Sequence, residues 1–248
     1  MSIFDHYRQR FEAEQEQEFS IDEFLQLCKE DKTAYVSAAE RLLLAIGEPE
    51  MIDTSQNPVL SRIFSNRIIA RYPAFSEFYG MEESIEQIVS YLKHSAQGLE
   101  EKKQILYLLG PVGGGKSSLA EKLKFLMQKQ PIYCLKGSPV NDHPFCLFDA
   151  DEDGHILDKE YGIPSRYLKP IMSPWAAKRL REYNGDISQF KVVRKNPSVL
   201  HQIGIAKTEP GDDNNQDISS LVGKVDIRML ENFAQDDPDA YSYSGALC

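Results

Sequence analysis

Residues 110–117 read Gly-Pro-Val-Gly-Gly-Gly-Lys-Ser, which is the complete G-x-x-x-x-G-K-[S/T] pattern of a phosphate-binding loop. Consecutive glycines let backbone N–H groups turn toward a phosphate. In this pattern Lys116 would reach the β- and γ-phosphate oxygens, and the Ser117 hydroxyl would coordinate Mg²⁺. The sequence therefore predicts a site for ATP or GTP with Mg²⁺. Its predicted residues are Gly110, Pro111, Val112, Gly113, Gly114, Gly115, Lys116, Ser117 and the adjoining Ser118.

A strand before this loop and a helix after it are the elements that must position it. Residues 105–109 form a short, continuous apolar run, typical of a strand buried on both faces of a parallel sheet. Residues 117–128 have helical character, and residues 131–135 read as another short strand. We therefore expect a βαβ unit with a right-handed crossover, and a ligand at the carboxyl ends of the strands.

Helical patterns precede the predicted nucleotide unit. Ser20 and Glu23 have the spacing of a capping box at a helix start. Tyr35, Ala39, Leu42, Leu43 and Ile46 fall on one helical face before Gly47. Residues 85–92 carry apolar side chains at i, i+3, i+4 and i+7, which indicates an amphipathic helix. These patterns predict a small helical unit with a connector over residues 1–75, followed by a nucleotide-binding domain over residues 76–248.

Composition limits the kinds of partner that the chain is expected to bind. The 248 residues include 38 acidic and 28 basic side chains, and the formal net charge is −10. This balance argues against nucleic acid or an anionic membrane as a partner. The four cysteines form no C-x-x-C pair, so we expect reduced thiols. No apolar run approaches membrane-spanning length and no leader pattern opens the chain, so we expect a cytoplasmic protein.

Two further patterns raise the question of a metal. Residues 149–160 match the D-x-[DN]-x-[DN]-G-x₅-E calcium loop, but Pro144 before it and Gly162 after it oppose the flanking helices that such a loop needs. We interpret the segment as an acidic surface turn, with calcium binding as the alternative. Residues 145–149 are also an apolar run ending in an acid, which resembles the Mg²⁺-positioning strand of P-loop enzymes.

Four segments in a specific order carry a family resemblance. They are residues 78–82 (FYGME), 110–117, 223–228 (GKVDIR) and 243–247 (YSGAL). Together they resemble the N-terminal AAA portion of the PrkA-type serine protein kinases, and the likeness spans nearly the whole chain. It implies an α/β P-loop NTPase of AAA+ type, a parallel sheet with flanking helices, in a larger cytoplasmic bacterial protein whose kinase-like region lies further along. Gly80 matches the glycine near the adenine pocket of AAA+ proteins.

The resemblance implies ATP as nucleotide and a protein as substrate, but it leaves the reaction open. Residues 245–248 resemble what precedes a Walker-B strand, so the metal-side acid is expected after Cys248. The sequence has no H-R-D or D-F-G signature, so any phosphoryl transfer by these residues would use the P-loop. The first hypothesis is serine/threonine phosphorylation by the full-length protein. The alternatives are an AAA+ ATPase that remodels or processes a protein partner, working as a homo-oligomer, and a nucleotide-gated assembly or regulatory module.

Overall fold

Short helices and strands alternate along the chain, which a computed structural model describes for residues 4–5, 17–168, 170–206, 218–246 and 248. The α-helices are α1 Ile21–Glu30, α2 Ala38–Ile46, α3 Pro58–Phe64, α4 Glu82–Ala96, α5 Lys116–Met127, α6 Gly154–Tyr161, α7 Pro174–Glu182 and α8 Ser219–Val222. The strands are β1 Gln17–Ser20, β2 Glu50–Asp53, β3 Ile68–Arg71, β4 Ile132–Leu135, β5 Lys191–Lys195, β6 Lys224–Val225 and β7 Tyr241–Ser242. The 3₁₀ helices are Lys32–Ala34, Thr54–Gln56, Pro73–Phe75, Glu100–Lys103, Pro144–Leu147, Ser165–Tyr167, Ile187–Gln189, Ile227–Glu231 and Pro238–Ala240.

The chain divides into two compact units. The first comprises Met1–Tyr35 with Pro131–Cys248, and the second comprises Val36–Gln130. The predicted boundary after residue 75 therefore falls inside the second unit. The assignment of residues 76–248 as one nucleotide-binding domain stays a prediction.

A three-stranded antiparallel sheet forms the centre of the first unit. Its order is β1-β5-β4, with Phe19 opposite Val192 and Cys134 opposite Val193. Both valines are fully buried, as expected for a central strand that is covered on both faces. Helix α1 follows β1 directly and begins at the predicted capping box, in which the Ser20 hydroxyl accepts from the Glu23 N–H at 3.2 Å and the Glu23 carboxylate accepts from the Ser20 N–H at 2.6 Å.

The strand predictions are confirmed only in part. Residues 131–135 do contain a strand, β4, but it pairs antiparallel with β5. Residues 105–109 form no strand, since no other segment in the described part of the chain pairs with them. Ile105, Tyr107 and Leu109 are 91%, 78% and 83% exposed. A strand requires a neighbour to accept its hydrogen bonds, so an apolar run alone does not establish one. The fold is mixed α/β, and a parallel sheet is not seen among the described residues.

The Mg²⁺-positioning strand suggested for residues 145–149 is wrong. Residues 145–147 belong to the 3₁₀ helix Pro144–Leu147, and Pro144, just before the segment, lacks the N–H that a central strand needs. The Phe145 N–H donates to His143 Nδ1 at 3.1 Å, and the Phe145 ring is fully buried. The segment therefore supplies core packing to the first unit.

The second unit packs helices α2, α4 and α5 around their own apolar core. The predicted amphipathic helix is confirmed as α4, whose side chains Ile85, Ile88, Val89 and Leu92 are buried. Helix α2 is also confirmed and ends at Gly47, but it begins only after a capping box formed by Ser37 and Glu40. Tyr35 therefore lies outside α2 and packs in the first unit, with its ring centroid 5.8 Å from that of Phe145.

Two glycines near the end of the chain allow a close approach between two backbone segments. Strands β6 and β7 pair antiparallel, which brings together the two segments beginning at residues 223 and 243. A Cβ at Gly223 would lie 2.2 Å from the Ser242 carbonyl oxygen, and a Cβ at Gly245 would lie 2.3 Å from that of Leu221. Only glycine fits such an approach, which explains both residues without any ligand.

All four cysteines are free thiols, as predicted. Burial, aided by the Asp142 carboxylate, raises the pKa of Cys146 to about 12, and burial raises the pKa of Cys28 even further.

Because thiolate is the reactive form, we expect iodoacetamide at pH 8 to alkylate half-exposed Cys248 at least about 100-fold faster than Cys28 or Cys146. Mass spectrometry of timed samples measures this. In urea all three rates should become similar, and equal rates in the folded protein would contradict the burial.

Candidate functional site

The phosphate-binding motif forms an exposed turn that opens helix α5. Gly113 has φ +79°, and Gly115, the residue that caps α5, has φ +77°. L-residues with a side chain reach this left-handed region at a cost of about 1–2 kcal/mol, so glycine is favoured at both positions. The Gly114 N–H donates to the Pro111 carbonyl at 3.2 Å and closes the turn. The residue types of the motif therefore match the backbone that they adopt.

Lys116 directs its charge back over the loop. Its Nζ donates to the carbonyl oxygens of Gly110 at 2.7 Å and Pro111 at 2.6 Å. Helix α5 starts at Lys116, so the first-turn N–H groups, which lack partners within the helix, and the positive end of its dipole lie at the same place. Ser117 and Ser118 are exposed in that first turn. Positive charge and free donors together make a site suited to an anion.

Beside the loop lies a cleft of about 390 Å³. This volume falls within the range of small-molecule pockets. Four predicted site residues line the cleft, namely Gly110, Pro111, Gly114 and Lys116. Its other walls are Met81, Ser84, Gln87, Ile88, Leu106, Tyr107, Leu108, Leu109 and Leu119.

The remaining predicted residues lie outside the lining of this cleft. Val112 is fully exposed at the tip of the loop. Gly113, Ser117 and Ser118 follow Val112 in the chain and do not line the cleft. Gly80 has φ +75° in the turn before α4, a backbone form that explains glycine there on conformational grounds. Its neighbour Met81 does line the cleft. The structure thus assembles the phosphate-binding part of the prediction around one turn.

Met81 is the residue of this site that sequence analysis did not assign. Its sulfur would lie 3.0 Å from a Cβ built at Gly115, so the thioether packs directly on the turn. Met81 also precedes α4, and its carbonyl accepts the Ile85 N–H at 2.9 Å. No spacing rule relates two residues so distant in the chain, and a single methionine carries no signal of its own.

The acidic segment at residues 149–160 forms a turn that leads into a helix. The Asp149 carboxylate accepts from the N–H groups of Asp151 at 2.7 Å and Glu152 at 3.1 Å, while the Asp153 carboxylate accepts from the Asp149 N–H at 2.8 Å. Helix α6 begins within the motif, contrary to the expectation that the flanks oppose a helix. Within the described ranges, no group of three or more His, Cys, Asp or Glu side chains is arranged to hold a metal. The segment therefore has the form of an acidic turn, and calcium binding there stays a hypothesis.

A glycine turn that caps a helix, with a lysine over it, has the form of a P-loop, and the chain is a domain of the AAA class, which implies a P-loop NTPase fold. The chain belongs to the PrkA AAA domain family, whose model matches residues 19–248. No solved structure matches the chain.

Relatives among characterised proteins are longer than this chain. It is 73% identical over 252 aligned residues to the serine/threonine kinase YeaG of Escherichia coli strain K12, covering 100% of this chain and 39% of that protein. It is 36% identical over 183 residues to the ATP-dependent protease PrkA of Bacillus subtilis strain 168, covering 69% of this chain and 28% of that protein. The chain therefore spans well under half the length of either relative. No helix in the portion described is long and apolar enough to cross a membrane.

Proposed function

We propose that this chain binds ATP with Mg²⁺ at residues 110–118 and supplies nucleotide to a full-length protein that phosphorylates serine or threonine on protein substrates. The observation that carries the proposal is the turn at Gly113 and Gly115, which opens α5 beneath the Lys116 ammonium. Family membership supports ATP as the ligand. The name of the relative from Escherichia coli, a serine/threonine kinase, supports the reaction.

Lysine, glycine and serine residues of the predicted site have distinct roles in this proposal. Lys116 would exchange its two carbonyl contacts for the β- and γ-phosphate oxygens, since charged oxygens are the stronger acceptors. Backbone N–H groups of the glycine turn would hold the phosphates, and Gly80 would lie near the adenine. The Ser117 hydroxyl would coordinate Mg²⁺, which, when bound, neutralises charge on the phosphates.

The proposal includes the parallel sheet of a P-loop fold. Residues 105–109 enter the phosphate-binding turn directly and expose apolar side chains on both faces, as a central strand of such a sheet would before its neighbours cover it. Extended backbone here would place the turn at the carboxyl end of the strand, where ligands bind in α/β sheets.

A second function rests on a different observation. The Bacillus subtilis relative is named an ATP-dependent protease, and the sequence has a P-loop but no protein-kinase signature. In this alternative the protein is a cytoplasmic homo-oligomer that hydrolyses ATP to remodel or process a protein partner. In a third, weaker alternative, nucleotide only orders an assembly surface. The net charge of −10 supports a protein partner over nucleic acid or an anionic membrane in each case.

The fate of γ-labelled ATP distinguishes these reactions. We would incubate the full-length protein with a serine-containing acceptor protein and measure label on the acceptor and as free phosphate, with the Lys116→Ala variant in parallel. Label on serine that the variant loses is the expected result. Free phosphate alone, again lost in the variant, would overturn the kinase proposal in favour of an ATP-driven machine. Binding without either product would favour the assembly module.

A further inference from the structure

We propose that Met81 is an oxidation-sensitive residue, at which conversion of the thioether to a sulfoxide disrupts the phosphate-binding turn and weakens nucleotide binding. The effect on nucleotide rests on the proposed function. The effect on the turn does not, because it follows from the packing of Met81 on Gly115.

Met81 lies between two elements of the second unit, the start of α4 and the turn that caps α5. The sulfur packs on Gly115, where even a methyl-sized Cβ would stand only 3.0 Å from it, and the Met81 terminal methyl carbon would be 3.5 Å away from that Cβ. On the other side, the Met81 backbone begins helix α4. Met81 therefore connects the start of α4 to the glycine that caps α5.

The side chain is also accessible to a small oxidant. Met81 is half-buried and forms part of the wall of the open cleft beside the turn. A hydroperoxide can therefore reach the sulfur. With hydrogen peroxide, the O–O bond breaks and an S–O bond forms; sulfur is oxidised by two electrons, and the peroxide is reduced to one water molecule. The product is methionine sulfoxide, which is polar and larger.

The added oxygen has two consequences at this place. An oxygen added on the side of Gly115 would force either the Met81 side chain or the turn to move, and an oxygen added on the open side would enter the cleft that Gly110 and Lys116 line. The oxygen is also a hydrogen-bond acceptor, and the donors nearest to the turn are the free first-turn N–H groups of α5 and the Lys116 ammonium. These are the groups that the proposed function assigns to phosphate. The sulfoxide would thus compete with the phosphates for donors or distort the turn that presents them.

Other oxidisable side chains provide the controls. Met51 is 65% exposed on strand β2, and it does not line the cleft beside the turn. Cys28 and Cys146 are buried, and burial raises the pKa of each thiol, which protects them from peroxide. Leucine has a volume close to that of methionine and cannot form a sulfoxide, so Met81→Leu and Met51→Leu form a matched pair.

The experiment uses the full-length protein, untreated and treated with hydrogen peroxide, with mass spectrometry to quantify sulfoxide at each methionine. We expect treatment to raise the Kd of the wild type for a fluorescent ATP analogue about tenfold. The Kd of Met81→Leu, whatever its untreated value, should be the same before and after treatment, and Met51→Leu should lose affinity as the wild type does. Methionine sulfoxide reductase should restore the Kd of the oxidised wild type. An effect caused by oxidised cysteine would not be reversed by this enzyme.

A second measurement tests Met81 independently of nucleotide. Hydrogen–deuterium exchange over residues 110–119, without ATP, should accelerate on oxidation in the wild type and stay unchanged in Met81→Leu. Unchanged exchange and unchanged Kd in a protein whose Met81 is fully oxidised would overturn the inference. If the untreated protein does not bind ATP but exchange still responds to Met81 oxidation, the proposed function fails and the inference about the turn stands.

Discussion

Lys116→Ala is expected to weaken the binding of ATP to the protein at least about 100-fold. The Lys116 ammonium already makes two close hydrogen bonds, to the carbonyl oxygens of Gly110 and Pro111, so it is held over the turn before any ligand arrives. Hydrogen bonds to charged groups contribute about 1.5–3 kcal/mol each. Two such contacts to phosphate, each at the lower value, correspond to about 100-fold in Kd. Titration with a fluorescent ATP analogue measures the loss.

Lys103→Ala is the control for a general effect of charge. The Lys103 side chain is 79% exposed and pairs with Glu100 at 3.8 Å, so its removal should change the Kd less than about twofold. Removing the Lys116 ammonium leaves the Gly110 and Pro111 carbonyls free to bond with water, because both residues are exposed. The thermal midpoint should therefore stay close to that of the wild type. A folded Lys116→Ala variant with unchanged affinity would contradict the site.

Features that depend on neighbouring residues in the sequence were predictable. The capping box at Ser20 and Glu23 and the apolar stripe of α4 are set by side chains three or four positions apart, and both are confirmed. The backbone of the glycine turn at residues 110–115 is likewise local, while its binding of phosphate stays a prediction. Its glycines adopt the positive φ angles that its pattern requires, within one short stretch of chain.

Features that depend on distant residues were not predictable in the same way. The apolar composition of β4 indicated a strand but could not identify its antiparallel neighbour, β5. Residues 105–109 have the composition of a buried strand and yet pair with nothing in the described segments. The contact of Met81 with Gly115 likewise arises from tertiary packing, for which one sequence contains no pattern. Hydrophobic periodicity indicates which side chains are buried, but it does not indicate which helix or strand packs against them.

Phe145→Ala is expected to lower the free energy of unfolding by about 3–5 kcal/mol, the range for deleting a buried aromatic ring. The Phe145 ring is fully buried in the first unit. Its centroid lies 5.8 Å from that of Phe24, 5.8 Å from that of Tyr35 and 4.8 Å from that of His143. The truncated side chain would leave a cavity among rings that cannot close over it. Urea unfolding, followed by the fluorescence of the single tryptophan, Trp175, measures the change in this unit.

Two control variants decide whether this segment is structural or belongs to a metal site. Phe125→Ala removes a ring that is 54% exposed and should cost below about 1 kcal/mol. Asp149→Asn alters the acid that a Mg²⁺-positioning strand would provide, but the Asp149 carboxylate accepts from backbone N–H groups of its own turn. Its Kd for ATP with Mg²⁺ should therefore stay within about twofold of the wild type. A large loss of Mg²⁺-dependent binding in Asp149→Asn, together with a stable Phe145→Ala variant, would restore the metal-site interpretation, because core packing predicts the opposite pair of results.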